Sequence, residues 1–406
     1  MKIKDVRCGI IAGTPVIRID CDKGLYGLGQ IEDVRAYRAE YIKQQVQMYK
    51  KFLVGLDPTD HAFVMTKINR LVGFKPWGSA VSAIEMALWD LVGKIFGIPV
   101  HKLLGGKVRE KVRVYNSNTG EPLKGHSPND YYETAFKRRK HPFGFNIFKF
   151  GVGFHGGILD SVPESYYGTM LGGPHPSRGH LTESGLKYLV ECIEALRNGL
   201  GDDVGLALDC GPGFSVPSAV KFSKAVEKFN ILWLEDLITG DYTPYTAVKA
   251  YKIVRMKSTI PIHTGEQICT RYGFKELIEE EAVDIIGPDP ADCGGLSEIK
   301  WIAEHADLHQ ILIAPHSGLN GPIGLMASVH ASSTFPANLI AIEFPFAPNK
   351  AWWESGIVKG LPQPLVENGY VIVPEKPGLG IELDENIARK YVREGDEDFF
   401  ETNAPK

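Results

Sequence analysis

The sequence lacks paired cysteines. Its six cysteines are scattered among 406 residues, at positions 8, 21, 192, 210, 269 and 293. None falls into a Cys-x-x-Cys or Cys/His spacing of the kind that binds zinc, and a secreted disulfide framework would show regular pairs. We therefore predict no zinc site and no disulfide framework, which suits a reducing compartment such as the cytoplasm.

The sequence also lacks a long hydrophobic run and a strong charge of either sign. The apolar stretch at residues 9–13 is too short for a signal peptide, and no later segment is long enough to span a bilayer. A formal net charge of −4 gives no electrostatic reason to expect nucleic acid or an anionic membrane as a partner. We predict a cytoplasmic protein that binds neither.

A phosphate-binding loop is absent as well. Gly24, Gly27 and Gly29 follow an alternating apolar stretch, but no strand-to-helix switch with a lysine comes after them. We assign these glycines to turns and predict that residues 1–30 form a meander of strands. From about residue 35 to residue 105 the apolar residues recur with helical spacing, most clearly in SAVSAIEMALWDLVGKIFG.

Length and composition predict more than one domain. A chain of 406 residues is too long for one ordinary core, and 44% hydrophobic and 23% charged residues are typical of a globular protein. We predict a first α+β domain over residues 1–111 and a second domain over residues 112–360. Residues 361–406 would then return to the first domain.

Short apolar segments alternate with segments of helical period after residue 112. Eight such alternations predict a closed parallel (β/α)8, or TIM, barrel, whose active site lies at the carboxyl ends of the strands. A doubly wound open sheet is the alternative, but it needs no eighth strand and usually has a phosphate-binding fingerprint. The predicted strands are 112–118, 145–151, 204–209, 231–235, 260–266, 283–289, 311–316 and 339–343.

One segment interrupts this alternation. Residues 151–180, GVGFHGGILDSVPESYYGTMLGGPHPSRGH, are rich in glycine, proline, histidine and tyrosine. A loop of this length in a compact domain is usually a functional lid or is disordered, and the aromatic residues argue against disorder. Since the loop leaves from the carboxyl end of a strand, we predict that it forms part of the pocket wall.

Three of the predicted strands end in a carboxylate, at Asp209, Glu235 and Glu266. Adjacent strands lie about 5 Å apart, which would bring the three carboxylates within reach of one cation. Ligation by oxygen alone suits Mg²⁺ better than zinc. A single carboxylate after a strand is as often the N-cap of the next helix, but three at neighbouring strand ends favour a metal site.

The next two strands end in Asp289 and His316. A carboxylate one strand away can orient an imidazole and raise its basicity, so a neutral His316 could take a proton from a carbon next to a carboxylate. A lone histidine at a strand end is more often structural, and the neighbouring Asp289 favours catalysis. We find no comparable setting for the other histidines, although His155 of the long loop could line the pocket.

Lys149 and Glu343 complete the set of candidate residues. Lys149 stands alone in an apolar strand, and a buried lysine needs a partner, which the predicted carboxylates or the carboxylate of a substrate would supply. Glu343 ends the eighth strand and, if protonated, could hydrogen-bond a developing enolate oxygen. A plain salt bridge is the alternative for Glu343.

The chain resembles the enolase superfamily, and specifically the mandelate racemase-like acid-sugar dehydratases of the mannonate dehydratase-like branch. The resemblance covers nearly the whole chain and rests on SAIEMALWDLVGKIFGIPVHKLLGG, WLEDL, TGEQ, IIGPDPADCGGLSE, APHSG and PGLGIE. It implies an α+β capping domain on a modified barrel, a bound Mg²⁺ and a homo-oligomeric assembly. It also implies the roles given above to Asp209, Glu235, Glu266, Asp289, His316 and Glu343.

Two positions depart from the family pattern. The second strand often reads Lys-x-Lys, and its second lysine is a base, but here Gly151 takes that place. The mannonate dehydratase-like branch usually has a histidine where this sequence has Gly211, and the adjacent Cys210 points to the other side of its strand. These departures leave His316 as the base and count against mannonate as the substrate.

The sequence therefore predicts a Mg²⁺-dependent lyase that dehydrates an acid sugar. His316 would remove the proton α to the carboxylate, an enediolate would form against Mg²⁺ and Lys149, and loss of the β-hydroxyl as water would give a 2-keto-3-deoxy acid. His316 could return its proton to the leaving group, with Tyr166 or Tyr167 as a weaker candidate acid. The alternatives are racemisation or epimerisation through the same enediolate, which needs a second base, and a nearly inactive sugar-acid binding protein.

Overall fold

A computed structural model describes residues 1–31, 36–71, 78–120, 122–153, 162–167, 180–211, 213–238, 246–317, 321–344 and 350–401. The chain begins with an antiparallel meander in the order β1-β2-β3, as the alternation predicts. Its strands are β1 (Ile3–Ile11), β2 (Thr14–Cys21) and β3 (Tyr26–Gln30). The helices that follow are α1 (Ala36–Leu53), α2 (His61–Leu71), α3 (Gly78–Phe96) and α4 (Val100–Leu103).

Helix α3 packs directly against strand β3. A Cβ at Gly27 would lie 2.0 Å from the carbonyl oxygen of Ala87, and one at Gly29 would lie 1.8 Å from that of Ala83. These two glycines stand inside the strand and admit the helix backbone, so their assignment to turns is wrong. Gly24, with a φ of +77°, is the turn residue.

Parallel strands form the centre of the second unit. The strands of this region are β4 (Lys111–Tyr115), β5 (Ile147–Gly151), β6 (Tyr166–Tyr167), β7 (His180–Leu181), β8 (Gly205–Asp209), β9 (Ile231–Glu235), β10 (Ile262–Thr264), β11 (Ile285–Ile286), β12 (Leu312–Ile313) and β13 (Ile342–Glu343). All except the antiparallel pair β6 and β7 belong to the barrel, in the orders β12-β11-β10-β9-β8-β5 and β13-β4. Bridges between Asn116 and Phe148 and between Ile313 and Leu339 join the two sets. The ring closes, which confirms the predicted (β/α)8 barrel.

Helices surround these strands. They are α5 (Pro128–Arg139), α6 (Glu183–Leu200), α7 (Val216–Val226), α8 (Val248–Lys257), α9 (Thr270–Glu279), α10 (Leu296–Leu308) and α11 (Pro322–Ser332). Three of them begin at a serine or threonine whose hydroxyl accepts a backbone hydrogen bond, namely Ser127, Thr182 and Ser215. Within the ranges that the structure describes, no helix is both long and apolar enough to cross a membrane.

A layer of buried side chains fills the barrel interior. We call it the interior layer, and its residues are Tyr115, Ile147, Ala207, Trp233, Ile285, Ala314 and Ala341. Side chains two residues apart in a strand point to the same side of the sheet. The next positions on that side, toward the carboxyl ends of the strands, are Ser117, Lys149, Asp209, Glu235, His316 and Glu343. The alternation of side chains along the parallel strands therefore places most of the predicted site residues together, directly above the interior layer.

The C-terminal segment contacts both units. Its elements are α12 (Ala351–Glu354), β14 (Val358–Lys359), β15 (Tyr370–Ile372), β16 (Glu382–Leu383), α13 (Glu385–Ala388) and the 3-10 helix Glu397–Phe400. Strand β15 pairs antiparallel with β4 of the barrel, whereas Val392 bridges to Ile11 of β1. The Asp396 carboxylate accepts a hydrogen bond from the Ile10 N–H at 2.9 Å. The division of the chain at residues 111 and 360 stays a prediction.

The long loop after β5 is described in part. In the hairpin of β6 and β7, Tyr166 pairs with Leu181 and Tyr167 pairs with His180, a feature that the sequence did not predict. The side chain of Tyr166 is buried and that of Tyr167 is exposed. Residues 154–161 and 168–179, and with them the candidate His155, lie outside the described residues. The proposed place of this loop in the pocket wall stays a prediction.

Candidate active site

The ammonium group of Lys149 lies among carboxylates. Its Nζ is 2.7 Å from Oε1 of Glu235, 3.4 Å from Oε1 of Glu343 and 3.8 Å from Oδ2 of Asp209. Burial lowers the pKa of Lys149, but these carboxylates outweigh burial and hold the pKa well above its ordinary value. The structure thus supplies the partners that a buried lysine needs, and Lys149 is positively charged.

His316 and Asp289 form a hydrogen-bonded dyad. Nδ1 of His316 is 2.7 Å from Oδ2 of Asp289, and the other oxygen of Asp289 accepts a hydrogen bond from the Ala291 N–H at 2.6 Å. The side chain of His316 is 12% exposed, whereas that of Asp289 is fully buried. The buried carboxylate therefore fixes the imidazole through Nδ1, and Nε2 of His316 is the nitrogen outside this hydrogen bond.

Glu266 lies on the histidine side of the site. Its Oε2 is 3.4 Å from Nε2 of His316, and Oε2 of Glu343 is 3.5 Å from the same nitrogen. Asp209 and Glu235, in contrast, face each other across β8 and β9 beside Lys149. The predicted metal trio is thus divided between two halves of one site, and the described residues contain no ready cluster of three metal-ligating side chains.

Comparison with known proteins identifies the architecture that holds these groups. The profile of the mandelate racemase / muconate lactonizing enzyme N-terminal domain matches residues 12–105, and the enolase C-terminal domain-like profile matches residues 133–387. The chain belongs to the enolase superfamily. The resemblance inferred from the sequence motifs is therefore confirmed at the level of the superfamily.

Individual relatives of this enolase superfamily member are named as dehydratases. D-xylonate dehydratase of Haloferax volcanii is 31% identical over 98% of this chain and 91% of its own length. D-galactonate dehydratase of Ralstonia pickettii is 28% identical over 93% of this chain and 91% of its own length. A solved mandelate racemase/muconate lactonizing enzyme-like protein from Rubrobacter xylanophilus is 29% identical, covers 97% of this chain and 98% of its own, and superposes with a TM-score of 0.82. The resemblance to acid-sugar dehydratases is confirmed, and the assignment to the mannonate branch stays a prediction.

Sequence reasoning missed two residues that contact Glu235 in this enolase superfamily site. Nε1 of Trp233 donates to Oε2 of Glu235 at 3.1 Å, and Nδ1 of His263 lies 3.4 Å from the same oxygen. The rings of Trp233 and His263 stack with centroids 5.5 Å apart. Burial holds the pKa of His263 below its ordinary value although Glu235 opposes it, and Nε2 lies 3.2 Å from the Ala314 carbonyl oxygen. A neutral His263 with its proton on Nε2 therefore stands beside Glu235.

The contacts of Glu343 favour the salt bridge over the protonated donor. Burial raises the pKa of Glu343, but Lys149 and His316 outweigh burial and give a net pKa below the ordinary value. Glu343 also accepts a hydrogen bond from the Ser317 N–H at 3.2 Å, and the hydroxyl of Ser117 bonds to it as well. Ser117 lies two residues beyond Tyr115 of the interior layer, a signal that could have identified it from the sequence.

Gly151 and Gly211, the two departures from the family pattern, both lie next to Asp209 in the structure. Gly151 pairs with Asp209 across β5 and β8. A Cβ at Gly211 would lie 3.0 Å from Cβ of Asp236 and 3.4 Å from Oδ1 of Asp209. Asp236 is itself buried and held by Thr264, so a histidine at position 211 would require this neighbour to move. The chain is therefore built around glycine at this position.

The site holds more buried negative charge than positive charge. Burial keeps the nearby His263 neutral. Among the described residues, Lys149 and His316 face the carboxylates of Asp209, Glu235, Glu266, Asp289 and Glu343. Burial lowers the pKa of His316, but Glu266, Glu343 and Asp289 outweigh burial and hold the pKa well above its ordinary value, so that a neutral His316 requires another positive charge among these carboxylates. Buried carboxylates are normally paired or coordinate a metal, and an oxygen donor set suits a hard divalent cation. The chemistry of this oxygen donor set therefore suits Mg²⁺, and binding would draw Asp209, Glu235 and Glu266 together around the ion.

Removal of the Tyr115 hydroxyl is expected to leave stability nearly unchanged. The side chain is fully buried with its ring edge-on to Trp233, and its hydroxyl has no hydrogen-bond partner among the described residues. Because Tyr115→Phe removes a polar atom without leaving a partner unpaired, we expect a change within about 1 kcal/mol in the free energy of unfolding. Urea unfolding measures it, and a loss of more than about 2 kcal/mol would contradict the expected result.

Proposed function

We propose that the protein is a Mg²⁺-dependent hydro-lyase that converts an acid sugar into a 2-keto-3-deoxy acid. The observation that carries this proposal is the Asp289–His316 dyad, with an Nδ1 to Oδ2 distance of 2.7 Å, next to the charged Lys149–Glu235 pair. A racemase needs a base on each face of the reacting carbon, and Gly151 stands where the family has its second base. The site therefore favours elimination over racemisation.

The residues that would hold Mg²⁺ are Asp209, Glu235 and Glu266. A bound Mg²⁺ supplies positive charge that acidifies the α-proton and offsets the charge of the enediolate. Trp233 and Lys149 fix the two oxygens of Glu235, at 3.1 Å and 2.7 Å. Outer contacts of this kind orient a carboxylate for ligation.

The remaining steps belong to side chains of this chain. In the neutral form of His316, which positive charge bound by the neighbouring carboxylates would favour, Nε2 removes the α-proton while Asp289 holds Nδ1 and stabilises the imidazolium that forms. The Lys149 ammonium offers a fixed positive charge to the negative charge that develops on the substrate carboxylate. The β-hydroxyl then leaves with a proton that His316 returns, and water and the 2-keto-3-deoxy acid are the products. His316 thus carries out both proton transfers.

A library screen tests this proposal. Aldonic and aldaric acids, beginning with D-xylonate and D-galactonate because two relatives are named for them, are incubated with the protein in excess Mg²⁺ or in excess chelator. We expect 2-keto-3-deoxy acid to form from at least one acid sugar in Mg²⁺ and none to form in chelator. Exchange of the α-proton with deuterated solvent without loss of water would indicate a racemase or epimerase. Tight Mg²⁺-dependent binding without turnover would indicate a binding protein.

We propose a cytoplasmic enzyme that works as a homo-oligomer. The soluble composition and the absence of a paired cysteine framework support the compartment. The family resemblance supports the assembly.

A further inference from the structure

Helix α3 of the first domain contacts the loop that carries Asp289. Ser82 and Glu85 lie one turn apart on the helix face that meets residues 289–297. The Ser82 hydroxyl accepts a hydrogen bond from the Gly294 N–H at 2.9 Å. Both domains therefore meet at the segment that leads from the dyad into α10.

Glu85 makes the largest set of contacts with this segment. Its carboxylate accepts hydrogen bonds from the Leu296 N–H at 2.7 Å, the Ser297 N–H at 3.0 Å and the Ser297 hydroxyl at 2.6 Å. Nε1 of Trp89 donates to the same carboxylate at 2.7 Å. The carboxylate thus satisfies free N–H groups in the first turn of α10, where a negative charge is favourable.

The Glu85 carboxylate is charged although it is buried. Its residue is 1% exposed. Burial raises the pKa of Glu85, but His61 and the donors of α10 outweigh burial, and the net pKa lies below its ordinary value. His61 Nε2 is 3.4 Å from the carboxylate, and its ring stacks on Trp89. Such a group is held by fixed donors on several sides and has little freedom to move.

The segment between the dyad and α10 combines a tight turn with two consecutive glycines. Asp289 begins a tight turn in which its carbonyl oxygen accepts from the Cys293 N–H at 2.7 Å. Gly294 and Gly295 then follow with φ values of +115° and +97°, a backbone conformation that glycine adopts with ease. A Cβ at Gly295 would lie 2.2 Å from Oε2 of Glu85. Two consecutive glycines restrict the backbone little, and Glu85 contacts the chain directly after them.

We propose that Glu85 is a positioning residue, which fixes the first turn of α10 and thereby holds Asp289 where it can orient His316. This inference rests on the proposed function. The first domain then does more than cover the barrel, because one of its helices sets the geometry of the proton-transfer dyad from outside the pocket.

The direct test is Glu85→Gln, which keeps the shape and removes the charge and one acceptor. We expect kcat to fall about tenfold to a hundredfold with KM changed by less than about threefold, because the reacting groups are misplaced while the substrate contacts remain. The same change is then made in an Asp289→Asn background. If Glu85 acts through Asp289, the effect of Glu85→Gln on kcat largely disappears in the Asp289→Asn background. A general loss of folded enzyme would instead lower kcat by the same factor with Asp289 and with Asn at that position.

Asp90→Asn is the matched control on the same helix. Asp90 is equally buried and accepts hydrogen bonds from the Leu28 and Leu379 N–H groups at 2.9 Å and 2.8 Å. It contacts β3 and the C-terminal segment instead of α10, so kcat per folded enzyme should stay within about twofold of wild type. Should Glu85→Gln fail to fold, Ser82→Ala tests the same loop with a smaller expected loss of about threefold in kcat.

Amide hydrogen exchange keeps this inference separate from the proposed function. We expect the peptide that contains residues 289–298 to exchange at least about tenfold faster in Glu85→Gln than in the wild-type protein, and at the wild-type rate in Asp90→Asn. Unchanged exchange, or an equal loss of kcat in both Asp289 backgrounds, would overturn the inference. Faster exchange in a protein that dehydrates no acid sugar would instead overturn the proposed function.

Discussion

Replacing His316 by asparagine is expected to lower kcat by about a thousandfold, the usual contribution of a positioned general base. Asparagine can still hydrogen-bond to Asp289, whose Oδ2 is 2.7 Å from Nδ1 of His316, but it cannot take a proton at Nε2. Since His316 is assigned both proton transfers, neither step retains a catalyst. The measurement is the rate of 2-keto-3-deoxy acid formation in saturating Mg²⁺ with the best acid sugar from the screen.

Two comparisons make the His316 result specific. His309→Asn removes a histidine at the far end of α10, away from the site, and should retain the wild-type rate. The affinity of His316→Asn for Mg²⁺, measured by calorimetric titration, should stay within about tenfold of wild type because the assigned ligands are intact. A His316→Asn protein that dehydrates the substrate at the wild-type rate would end the assignment of His316 as the base.

Replacing Lys149 by methionine is expected to lower the free energy of unfolding by about 3–5 kcal/mol in the presence of chelator. Methionine matches the length of the lysine chain, but Glu235 and Glu343 lose the ammonium group that lies 2.7 Å and 3.4 Å away. Both carboxylates are 1% exposed, so water does not replace the lost partner. Urea unfolding gives the loss directly, and turnover should fall with it.

Mg²⁺ and a surface pair provide the controls for Lys149. If the same carboxylates bind Mg²⁺, an ion concentration one hundred times its dissociation constant should restore about 2.7 kcal/mol of stability to the variant. Lys107→Met removes a lysine that also pairs with two carboxylates, Glu110 and Glu375, but both of these are exposed. We expect it to cost less than about 1 kcal/mol. Equal losses for the two lysine variants would contradict a buried charge cluster at Lys149.

The barrel and most of the site residues could be predicted because the strands and the residues at their ends are each recognised from a few neighbouring positions in the sequence. A short apolar run followed by a carboxylate or histidine identifies a strand and its end at once, as it does for Glu235 and His316. Residues that act across strands are harder to find. His263 carries no local sign of its role, and it contacts Glu235 only because the two residues face each other in the register of β9 and β10.

The contact between α3 and α10 could not be predicted from the sequence for a related reason. Glu85 stands in an apolar helix, and the neighbouring Trp89 is readily explained by helix packing. The hydrogen bond from Leu296 to Glu85 joins residues 211 positions apart, and no periodic pattern connects them. Gly27 and Gly29 show the same limit, because a glycine that admits a neighbouring helix has the same local pattern as a glycine in a turn.

The C-terminal segment supplies contacts to β1 and β4 that can form only after this late part of the chain has been synthesised. Val392 bridges to Ile11, and Tyr370 to Ile372 pair with the first barrel strand, β4. Strand β1 therefore leaves the ribosome well before the segment that contains its partner Val392. At ordinary elongation rates of about 5–20 residues per second, the interval is roughly 20 to 75 seconds. During that time β1, an edge strand of the first sheet, lacks the neighbour that Val392 supplies.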